Sequence, residues 1–282
     1  MNNSFSVEWL ALRERFDLVA RNQDIVQTVQ RWQGRTSPLN VVDLGAGTGA
    51  NFRILSPRLD GIQQWLLVDN DEQLLAEAGP SMEVWANRRG VDCEITGNQI
   101  TVGRSRAQTM RADLVTDLET LPRDGVHLLT ASALMDLVSV AWFERLATRQ
   151  YPALYFVLSY NGHIDWHPSD AFDEPARQLI NRHQSGDKGF GPAMGPGASE
   201  YIAETLRHRG YEIETNAADW RMQPSDATMQ RMLLDNWAEA MRSLDPSETL
   251  EEWVERREAL IDQQQSRLRV GHTDLFAWLP RH

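Results

Sequence analysis

The chain contains 282 residues, of which 41% are hydrophobic and 24% are charged. This composition is typical of a folded globular protein with one large domain, and it excludes collagen-like, disordered and disulfide-stapled classes. The 40 acidic residues outnumber the 28 basic residues and give a net charge of -12, which disfavours nucleic acid or an anionic membrane as a partner. Lys188 is the only lysine, so arginine is the default ligand for anions.

Cysteine usage and hydropathy predict the compartment. Cys93 stands alone and cannot form an internal disulfide, so nothing in the sequence requires an oxidising environment. Residues 1–16 lack the pattern of a signal peptide, and no apolar run approaches the roughly 20 residues of a membrane helix. We therefore expect a cytoplasmic protein whose partner is a small molecule rather than a membrane or a nucleic acid. The sequence does not indicate an oligomeric state.

The predicted elements alternate between helices and strands. Apolar residues recur at helical spacing up to about Trp32, and Ser37-Pro38 ends this pattern. Strand-like runs follow at 39–44, 64–68, 91–102, 126–130 and 153–159, and helical stretches separate several of them. This alternation predicts a parallel sheet with helices on both faces.

The second half of the sequence departs from this alternation. The segment at about 161–197 is rich in Gly, Pro, His and Asp, and it is predicted to be a loop insertion around one helical piece. Two amphipathic helices at about 223–268 are predicted to form a helical cap insertion before the last strand. We therefore divide the chain into an N-terminal helical cover at 1–38 and one α/β domain at 39–282.

The strongest chemical signal is the sequence VVDLGAGTG, Val41–Gly49. An apolar strand ends in Asp43, two places before the first glycine of a GxGxG turn. Gly45, Gly47 and Gly49 lack a Cβ and can take positive φ, so backbone N–H groups can approach a nucleotide-like cofactor. A glycine-rich turn without a ligand is the alternative interpretation. A second acid, Asp69, ends the next strand, where it can accept hydrogen bonds from two vicinal ribose hydroxyls.

With these motifs the sequence resembles the class I S-adenosylmethionine-dependent methyltransferases, whose first motif is an apolar strand, an acid and GxGxG. The resemblance covers about residues 39–160, and residues 198–279 more loosely. It implies a Rossmann-like, seven-stranded and mostly parallel sheet with helices on both faces, an antiparallel last strand and a helical cap insertion. It also implies S-adenosylmethionine as the cofactor and S-adenosylhomocysteine as the product.

The resemblance further implies a role for individual residues. Asp43 would support the glycine turn and the amino group of the cofactor's methionine part, and Asp69 would bind the ribose. An acid after the third strand would accept from the adenine amino group; Asp113 matches it, although a simple turn acid is the alternative. The expected cofactor-binding set is Arg21, Asp43, Gly45, Ala46, Gly47, Gly49, Asp69, Asn70, Asp113, Leu114, Ala131 and Ser132.

Arg21 belongs to this set because an N-terminal helix in such enzymes often closes over the cofactor, whose carboxylate an arginine could pair with. A solvated helix face is the alternative reading. The glycines also fit a dinucleotide-binding turn, since Gly45–Ala50 matches GxGxxA. Asp43 stands where dinucleotide folds keep an apolar residue, which favours the sulfonium cofactor. An NAD(P)-dependent oxidoreductase and a non-catalytic S-adenosylmethionine-binding sensor remain alternative functions.

Methyl transfer from a sulfonium needs in-line alignment, and it needs a base only where the nucleophile carries a proton. His163 is predicted as that base, with Asp136 as a second catalytic candidate or, alternatively, a brace for the following helix. The expected acceptor-pocket residues follow the fifth strand and are Tyr160, Asn161, His163, Trp166 and His167. If that strand continued, His163, Asp165 and His167 would share one face and could hold zinc or iron, but no metal site is predicted. The segment 187–192 is a candidate flap.

Overall fold

The computed structural model describes residues 6–280. The first five residues of the predicted helical cover and the last two residues of the predicted α/β domain lie outside this part. The α-helices of this part are α1 (Val7–Ala20), α2 (Gln23–Gln33), α3 (Ala50–Leu55), α4 (Glu72–Arg88), α5 (Val140–Ala147), α6 (Asp173–Gln184), α7 (Ala198–His208), α8 (Ala227–Arg242) and α9 (Glu248–Asp262). Among residues 6–280, no helix is both long and apolar enough to span a bilayer.

The strands are β1 (Leu39–Leu44), β2 (Gln63–Asp69), β3 (Cys93–Thr96), β4 (Gln99–Val102), β5 (Ser105–Arg111), β6 (Leu128–Ser132), β7 (Ala153–His167), β8 (Glu212–Ala217), β9 (Trp220–Met222) and β10 (Arg267–Trp278). They form one sheet in the order β3-β4-β5-β2-β1-β6-β7-β10-β8, and β9 pairs with β10. The stretch β5-β2-β1-β6-β7 is parallel, whereas β10 runs antiparallel between β7 and β8. The predicted Rossmann-like sheet with an antiparallel last strand is confirmed.

Helices cover both faces of the sheet because successive residues of its central strands point to opposite sides. Val41 of β1 belongs to an apolar cluster that includes Phe52 of α3 and Met82 of α4. Val42, the next residue, belongs to the cluster on the other face, with Phe143 of α5 and Leu206 of α7. The central strands are therefore buried on both faces, and ligands can reach them only at their ends.

The sheet has ten strands where the sequence predicts seven, because an edge hairpin and the short β9 are added. The run at 91–102 is not one strand but the hairpin β3-β4, which turns at Gly97 with φ +61°. β4 pairs antiparallel with β5, which is the third parallel strand of the core. The sequence pattern does not predict β5 as a strand, because polar residues such as Arg106 and Gln108 alternate with its buried residues.

The predicted loop insertion at 161–197 begins as strand. β7 continues to His167, and its residues 160–167 pair antiparallel with β10. Tyr160, Ile164 and Trp166 are buried on one side of this extension, while His163 and the other odd-numbered positions face outward. The alternation was hidden in the sequence by the Asn-Gly pair at its start, which is typical of turns.

The predicted helical cap at about 223–268 contains α8 and α9, which pack on this extension of β7. Trp166 lies edge-on to Trp237 of α8 and to Trp253 of α9, with ring centroids 6.4 Å apart in both pairs. Arg257 is fully buried beside these rings, where it pairs with Asp173 of α6. Aromatic packing thus joins the cap to the sheet, and one buried ion pair joins the cap to α6.

Two glycines with the same backbone conformation test how tightly the β7 extension is packed. Gly162 has φ +87°, and a Cβ there would lie 2.9 Å from the Pro196 ring. Gly210 has φ +86°, and nothing lies within 4 Å of the corresponding position. We expect Gly162→Ala to lower the free energy of unfolding in urea by about 1–3 kcal/mol more than Gly210→Ala. Both substitutions introduce the same backbone strain, but only the Cβ at position 162 clashes with a neighbouring side chain. Equal losses would contradict this packing.

Candidate functional site

The glycine turn joins β1 to α3 and is tied to the neighbouring strand. Gly45, Gly47 and Gly49 have φ of +64°, +52° and +78°, a region that residues with a Cβ rarely occupy. The backbone N–H of Gly47 donates to Oδ2 of Asp69 at 2.8 Å. The second predicted acid therefore points toward the turn and fixes its conformation.

Asp69 lies at the carboxyl end of β2 and is only 9% exposed. Its Oδ1 accepts from the backbone N–H of Asp71 at 3.0 Å. Burial raises the pKa of Asp69, and the N–H groups of Asp71 and Gly47 oppose this shift. Since each carboxylate oxygen has two lone pairs, Asp69 keeps acceptor capacity for ligand hydroxyls.

The residues expected near an adenine lie at the same edge of the sheet. Asn70 is exposed directly after β2, and Asp113 is exposed two residues after β5. The Oδ1 of Asp113 accepts from the backbone N–H of Val115 at 2.8 Å, whereas Leu114 is buried. Because β2 and β5 are paired in parallel, these side chains follow neighbouring strand ends at one edge of the sheet.

A buried polar cluster lies beneath the glycine turn. Asp43 is fully buried, and its Oδ1 accepts from Nδ2 of Asn51 at 2.8 Å. The same Nδ2 lies 3.1 Å from Oγ1 of Thr130, and Nη1 of Arg21 donates to Oδ1 of Asn51 at 3.1 Å. Asn51 thus connects an acid from β1 to a buried arginine that follows α1. The sequence analysis missed Asn51 and Thr130, whose only signal is a polar residue in an otherwise apolar segment.

This cluster holds charged atoms without partners. Oδ2 of Asp43, and Nε and Nη2 of Arg21, are buried and have no hydrogen-bond partner among the described residues. Burial raises the pKa of Asp43 to about 7, although the Asn51 hydrogen bond and the Arg21 charge lower it. Buried charges in native proteins are normally paired, so this arrangement offers one anionic and one cationic position to a ligand.

Helix α1 lies over the glycine turn. A Cβ on Gly47 would be 3.3 Å from Cδ1 of Leu10. Leu10, Arg13 and Asp17 line a cavity of about 50 Å³ together with the turn and Ser132. Because Leu10 lies so close to the turn, α1 limits the space in front of Gly47.

Ion pairs and aromatic contacts hold α1 in this position. Arg53 of α3 pairs with Glu14 through two hydrogen bonds of 2.8 and 2.6 Å. Trp220 of β9 donates from its indole nitrogen to Oδ1 of Asp17 at 3.0 Å, and the Arg13 guanidinium lies 5.1 Å from the centroid of the same ring. Arg13, Asp17 and Trp220 are buried, so these contacts pack α1 against β9 beside the turn.

The segment after β6 approaches the turn from the other side. Ala131 is buried, and Ser132 lines the small cavity. Ala133 has φ +52°, which costs conformational energy in a residue with a Cβ. Leu134 then contacts the position where a Cβ of Gly45 would lie, at 3.5 Å. The strained backbone places this segment against the turn.

Asp136, in the segment that follows β6, approaches Tyr160 in the middle of β7. Asp136 is 6% exposed, and its Oδ1 has no partner among the described residues. Burial raises the pKa of Asp136 to about 6, and the backbone N–H groups of Asp136 and Tyr160, with the charges of Arg13 and Lys188, oppose the shift. The Tyr160 hydroxyl donates to Oδ1 of Asn181 at 2.7 Å.

The structure does not bring His163 to this region. Tyr160 of β7 approaches Asp136, and His163 lies three residues farther along the strand, which is about 10 Å. Its side chain faces solvent, so the structure does not place it beside Asp136, and a base at His163 stays a prediction. Side chains on a strand alternate, and this position falls on the outer face.

The other predicted acceptor residues also lie apart. Asn161 is half-buried and bonds to Thr273 of β10 at 3.3 Å. Trp166 belongs to the apolar core, and His167 is exposed. Asp165 shares the outer face with His163 and pairs with Arg269 at 3.3 Å. No group of His, Cys, Asp or Glu within residues 6–280 has the geometry of a metal site.

No protein-family model matches the chain, and no curated protein matches it. Among solved structures, it is similar to a candidate methyltransferase from Bacillus halodurans C-125, with a TM-score of 0.52 and 11% identity over 92% of this chain and 100% of that one. The chain has a Rossmann-like methyltransferase fold. At this identity the likeness concerns the fold, and the chemistry of the site is argued from its own residues.

Two further solved structures match this methyltransferase fold at 13% identity. One is an S-adenosylmethionine-dependent methyltransferase from Thiobacillus denitrificans in complex with S-adenosylhomocysteine, with a TM-score of 0.46 over 99% of this chain and 100% of that one. The other is an S-adenosylmethionine-dependent methyltransferase from Geobacter sulfurreducens with the same molecule, with a TM-score of 0.44 over 95% and 98%.

The buried acid of this methyltransferase fold predicts a pH effect on stability. Because its pKa in the folded state, about 7, lies above the ordinary value of 3.8, Asp43 destabilises the fold progressively as the pH rises through this interval. Asp43→Asn keeps the acceptor for Asn51 and removes the charge. At each pH we compare the free energy of unfolding of this variant with that of the unmodified chain. We expect the difference, variant minus unmodified chain, to be about 2 kcal/mol larger at pH 8 than at pH 5.

Urea unfolding at the two pH values measures this difference. The control is Asp235→Asn, which removes a charge from the exposed face of α8 and for which we expect no such change. If the stability of Asp43→Asn relative to the unmodified chain is the same at both pH values, the pKa of Asp43 is not raised by burial and the prediction is wrong.

Proposed function

We propose that the chain is an S-adenosylmethionine-dependent methyltransferase that transfers a methyl group in line to a small-molecule acceptor in the cytoplasm. The observation that carries this proposal is the buried, incompletely paired couple of Arg21 and Asp43 beside the glycine turn. An α-amino acid carries one carboxylate and one ammonium, and it is complementary to these two side chains. The methionine part of the cofactor is such an amino acid.

The proposed cofactor position uses three neighbouring strand ends. Arg21 would bind the carboxylate, Asp43 the ammonium, and Asp69 the ribose hydroxyls. The edge formed by β2 and β5 would hold the adenine. The remaining contacts would come from Gly45, Ala46, Gly47, Gly49, Asn70, Asp113, Leu114, Ala131 and Ser132. When bound there, the cofactor supplies a methyl group on a positively charged sulfur.

The chain's own contribution is to position the reactants and to exclude water. Helix α1 covers the turn, and its Leu10 lies against Gly47. Closure of a site strengthens its electrostatic interactions and aligns the reacting groups. The net charge of -12 supports a small molecule rather than a nucleic acid as the acceptor.

Two observations weigh against the dinucleotide alternative. The common dinucleotide-binding sheet is parallel in the order 3-2-1-4-5-6, whereas β10 here runs antiparallel between β7 and β8. In addition, Asp43 lies under the turn where a pyrophosphate would sit, and two anions would repel each other there. A zwitterionic amino acid suits the same position.

Calorimetric titration with S-adenosylhomocysteine, S-adenosylmethionine and NAD tests this function. We expect the two sulfur compounds to bind and NAD not to bind. Arg21→Met should weaken binding by about 100-fold, because a charged hydrogen-bond donor to the carboxylate is lost. Arg35→Met, which removes an exposed arginine, should have no effect. Binding of NAD alone would overturn the assignment.

Proton release gives a second readout of the same titration. Near pH 6.5 Asp43 is largely protonated, whereas an α-amino group is charged. Pairing with the ammonium should therefore expel a proton, and the binding enthalpy should depend on the ionisation enthalpy of the buffer. Asp43→Asn should abolish this dependence. Tight binding without methyl transfer to any metabolite mixture would favour the sensor alternative.

A further inference from the structure

A second pair of charged groups lies in the segment that follows β6 and in the loop that docks on this segment. The loop 185–195 docks on the segment that follows β6: the N–H of Gly195 donates to the carbonyl of Asp136 at 2.9 Å, and that of Met194 donates to the carbonyl of Val138 at 2.9 Å. A β-bridge joins Ser139 to Ala193. This docking brings Lys188, the only lysine of the chain, toward Asp136.

Lys188 is a half-buried cation without an anionic partner. Its Nζ lies 3.2 Å from Nδ1 of His183, and no carboxylate within residues 6–280 is close enough for an ion pair with it. Burial and the Lys188 charge lower the pKa of His183, so the imidazole accepts from the ammonium as a neutral ring. The ammonium therefore keeps donors for a ligand anion.

Asp136 is the complementary group. It is buried, and its Oδ1 has no partner among the described residues. The nearby Tyr160 hydroxyl is already committed to Asn181. Asp136 and Lys188 lower the energy of each other's charged form, but they do not touch. Each charge is thus left with an open hydrogen-bonding position.

Asp136 lies near the proposed methyl-transfer position. Asp136 follows Ser132 by four residues, and Ser132 lines the cavity at the glycine turn. Arg13 lines the same cavity, and its charge acts on Asp136. A group held by Asp136 would therefore face the crevice in which the cofactor is proposed to bind.

We propose that Asp136 and Lys188 form the acceptor site, and that the acceptor is a small zwitterion whose amine faces Asp136 and whose carboxylate faces Lys188. This proposal rests on the proposed methyltransferase function. An amine is favoured over a hydroxyl because a buried carboxylate is stabilised by a cation, whereas a neutral hydroxyl would leave its charge uncompensated. The carboxylate of the acceptor would compensate Lys188 in the same way.

The chemistry of the step follows from these positions. The Asp136 carboxylate takes one proton from the acceptor ammonium, which frees the nitrogen lone pair. The nitrogen then forms a bond to the methyl carbon as the carbon–sulfur bond breaks, and the bonding electron pair remains on the sulfur. The products are a methylated ammonium and a neutral thioether, and Asp136 afterwards releases its proton to solvent. Asp136 is thus a catalytic residue and Lys188 a binding residue.

The pH dependence of this step has a defined sign. The groups that face Asp136 are Arg13 from α1, the backbone of Tyr160 from β7 and Lys188 from the docked loop. Since the carboxylate must be ionised to accept a proton, kcat/KM should fall below a pKa of about 6. Asp136→Asn should lower kcat by about 100-fold or more and remove this acidic limb. Circular dichroism and the melting temperature show whether this isosteric variant folds.

The first experiment measures transfer of a radioactive methyl group from S-adenosylmethionine to a panel of acceptors. The panel contains glycine, β-alanine and 4-aminobutyrate, the methyl esters of all three, and the parent acids without an amine. We expect at least one zwitterion to be methylated with a kcat/KM at least 10-fold above that of its ester. Lys188→Met should bring this ratio close to one, and the parent acids should not react.

Arg182→Met is the matched control, because it removes one positive charge from the exposed face of α6 beside the loop. We expect this variant to keep the ratio of zwitterion to ester. An ester that reacts as well as its zwitterion, or a ratio that Lys188→Met leaves unchanged, would overturn the proposal.

The second experiment uses the single lysine as a reporter. In the presence of S-adenosylhomocysteine, trinitrobenzenesulfonate should modify Lys188 more slowly when N,N-dimethylglycine, a zwitterion without a primary amine, is added, and the methyl ester of this compound should give no protection. Mass spectrometry of the peptide that contains Lys188 reads this rate. Absence of both methylation and protection would refute the acceptor site. Absence of S-adenosylhomocysteine binding in the calorimeter would instead refute the proposed function.

Discussion

The site depends on the burial of two opposite charges, Asp43 and Arg21, beneath one glycine turn. Burying an ionised group without a close partner is expensive, and the pKa of about 7 for Asp43 reflects that cost. The fold compensates only part of it, through Asn51, which bonds to both side chains. A protein retains such an arrangement where a ligand completes it, so this unsatisfied pair is the strongest functional signal of the structure.

The elements that hold this pair are distant in sequence. Asp274 of β10 is buried and accepts from the backbone N–H of Asn22, which fixes the junction between α1 and α2 beside Arg21. Its other oxygen accepts from Leu158 of β7, a residue with φ +55°. The antiparallel last strand thus joins the helical cover to the sheet.

The sequence predicted the parts of this site that depend on local chemistry. The turn from Gly45 to Gly49 and the acid Asp69 were predictable, because positive φ requires glycine and because strand ends of a parallel sheet meet at one edge. Asn51 was not predictable, since a single buried amide has no motif. The approach of Lys188 to Asp136 depends on a loop that docks across the sheet edge, and no spacing in the sequence encodes it.

Contacts between distant elements could not be predicted in the same way. His163 is predicted as the base because it follows a strand, but β7 continues and its alternation turns His163 outward. The position of α1 over Gly47 results from tertiary contacts such as the pair of Glu14 with Arg53, which a helical pattern does not reveal. Periodicity predicts which elements form, whereas side-chain contacts between elements decide which residues reach the site.

A crystal structure of the chain with S-adenosylhomocysteine tests the central claim most directly. We expect the carboxylate of the ligand on Arg21, its ammonium on Asp43, its ribose on Asp69, and Leu10 displaced from Gly47. A ligand bound elsewhere, or one that leaves the free atoms of Arg21 and Asp43 without a partner, would contradict the account.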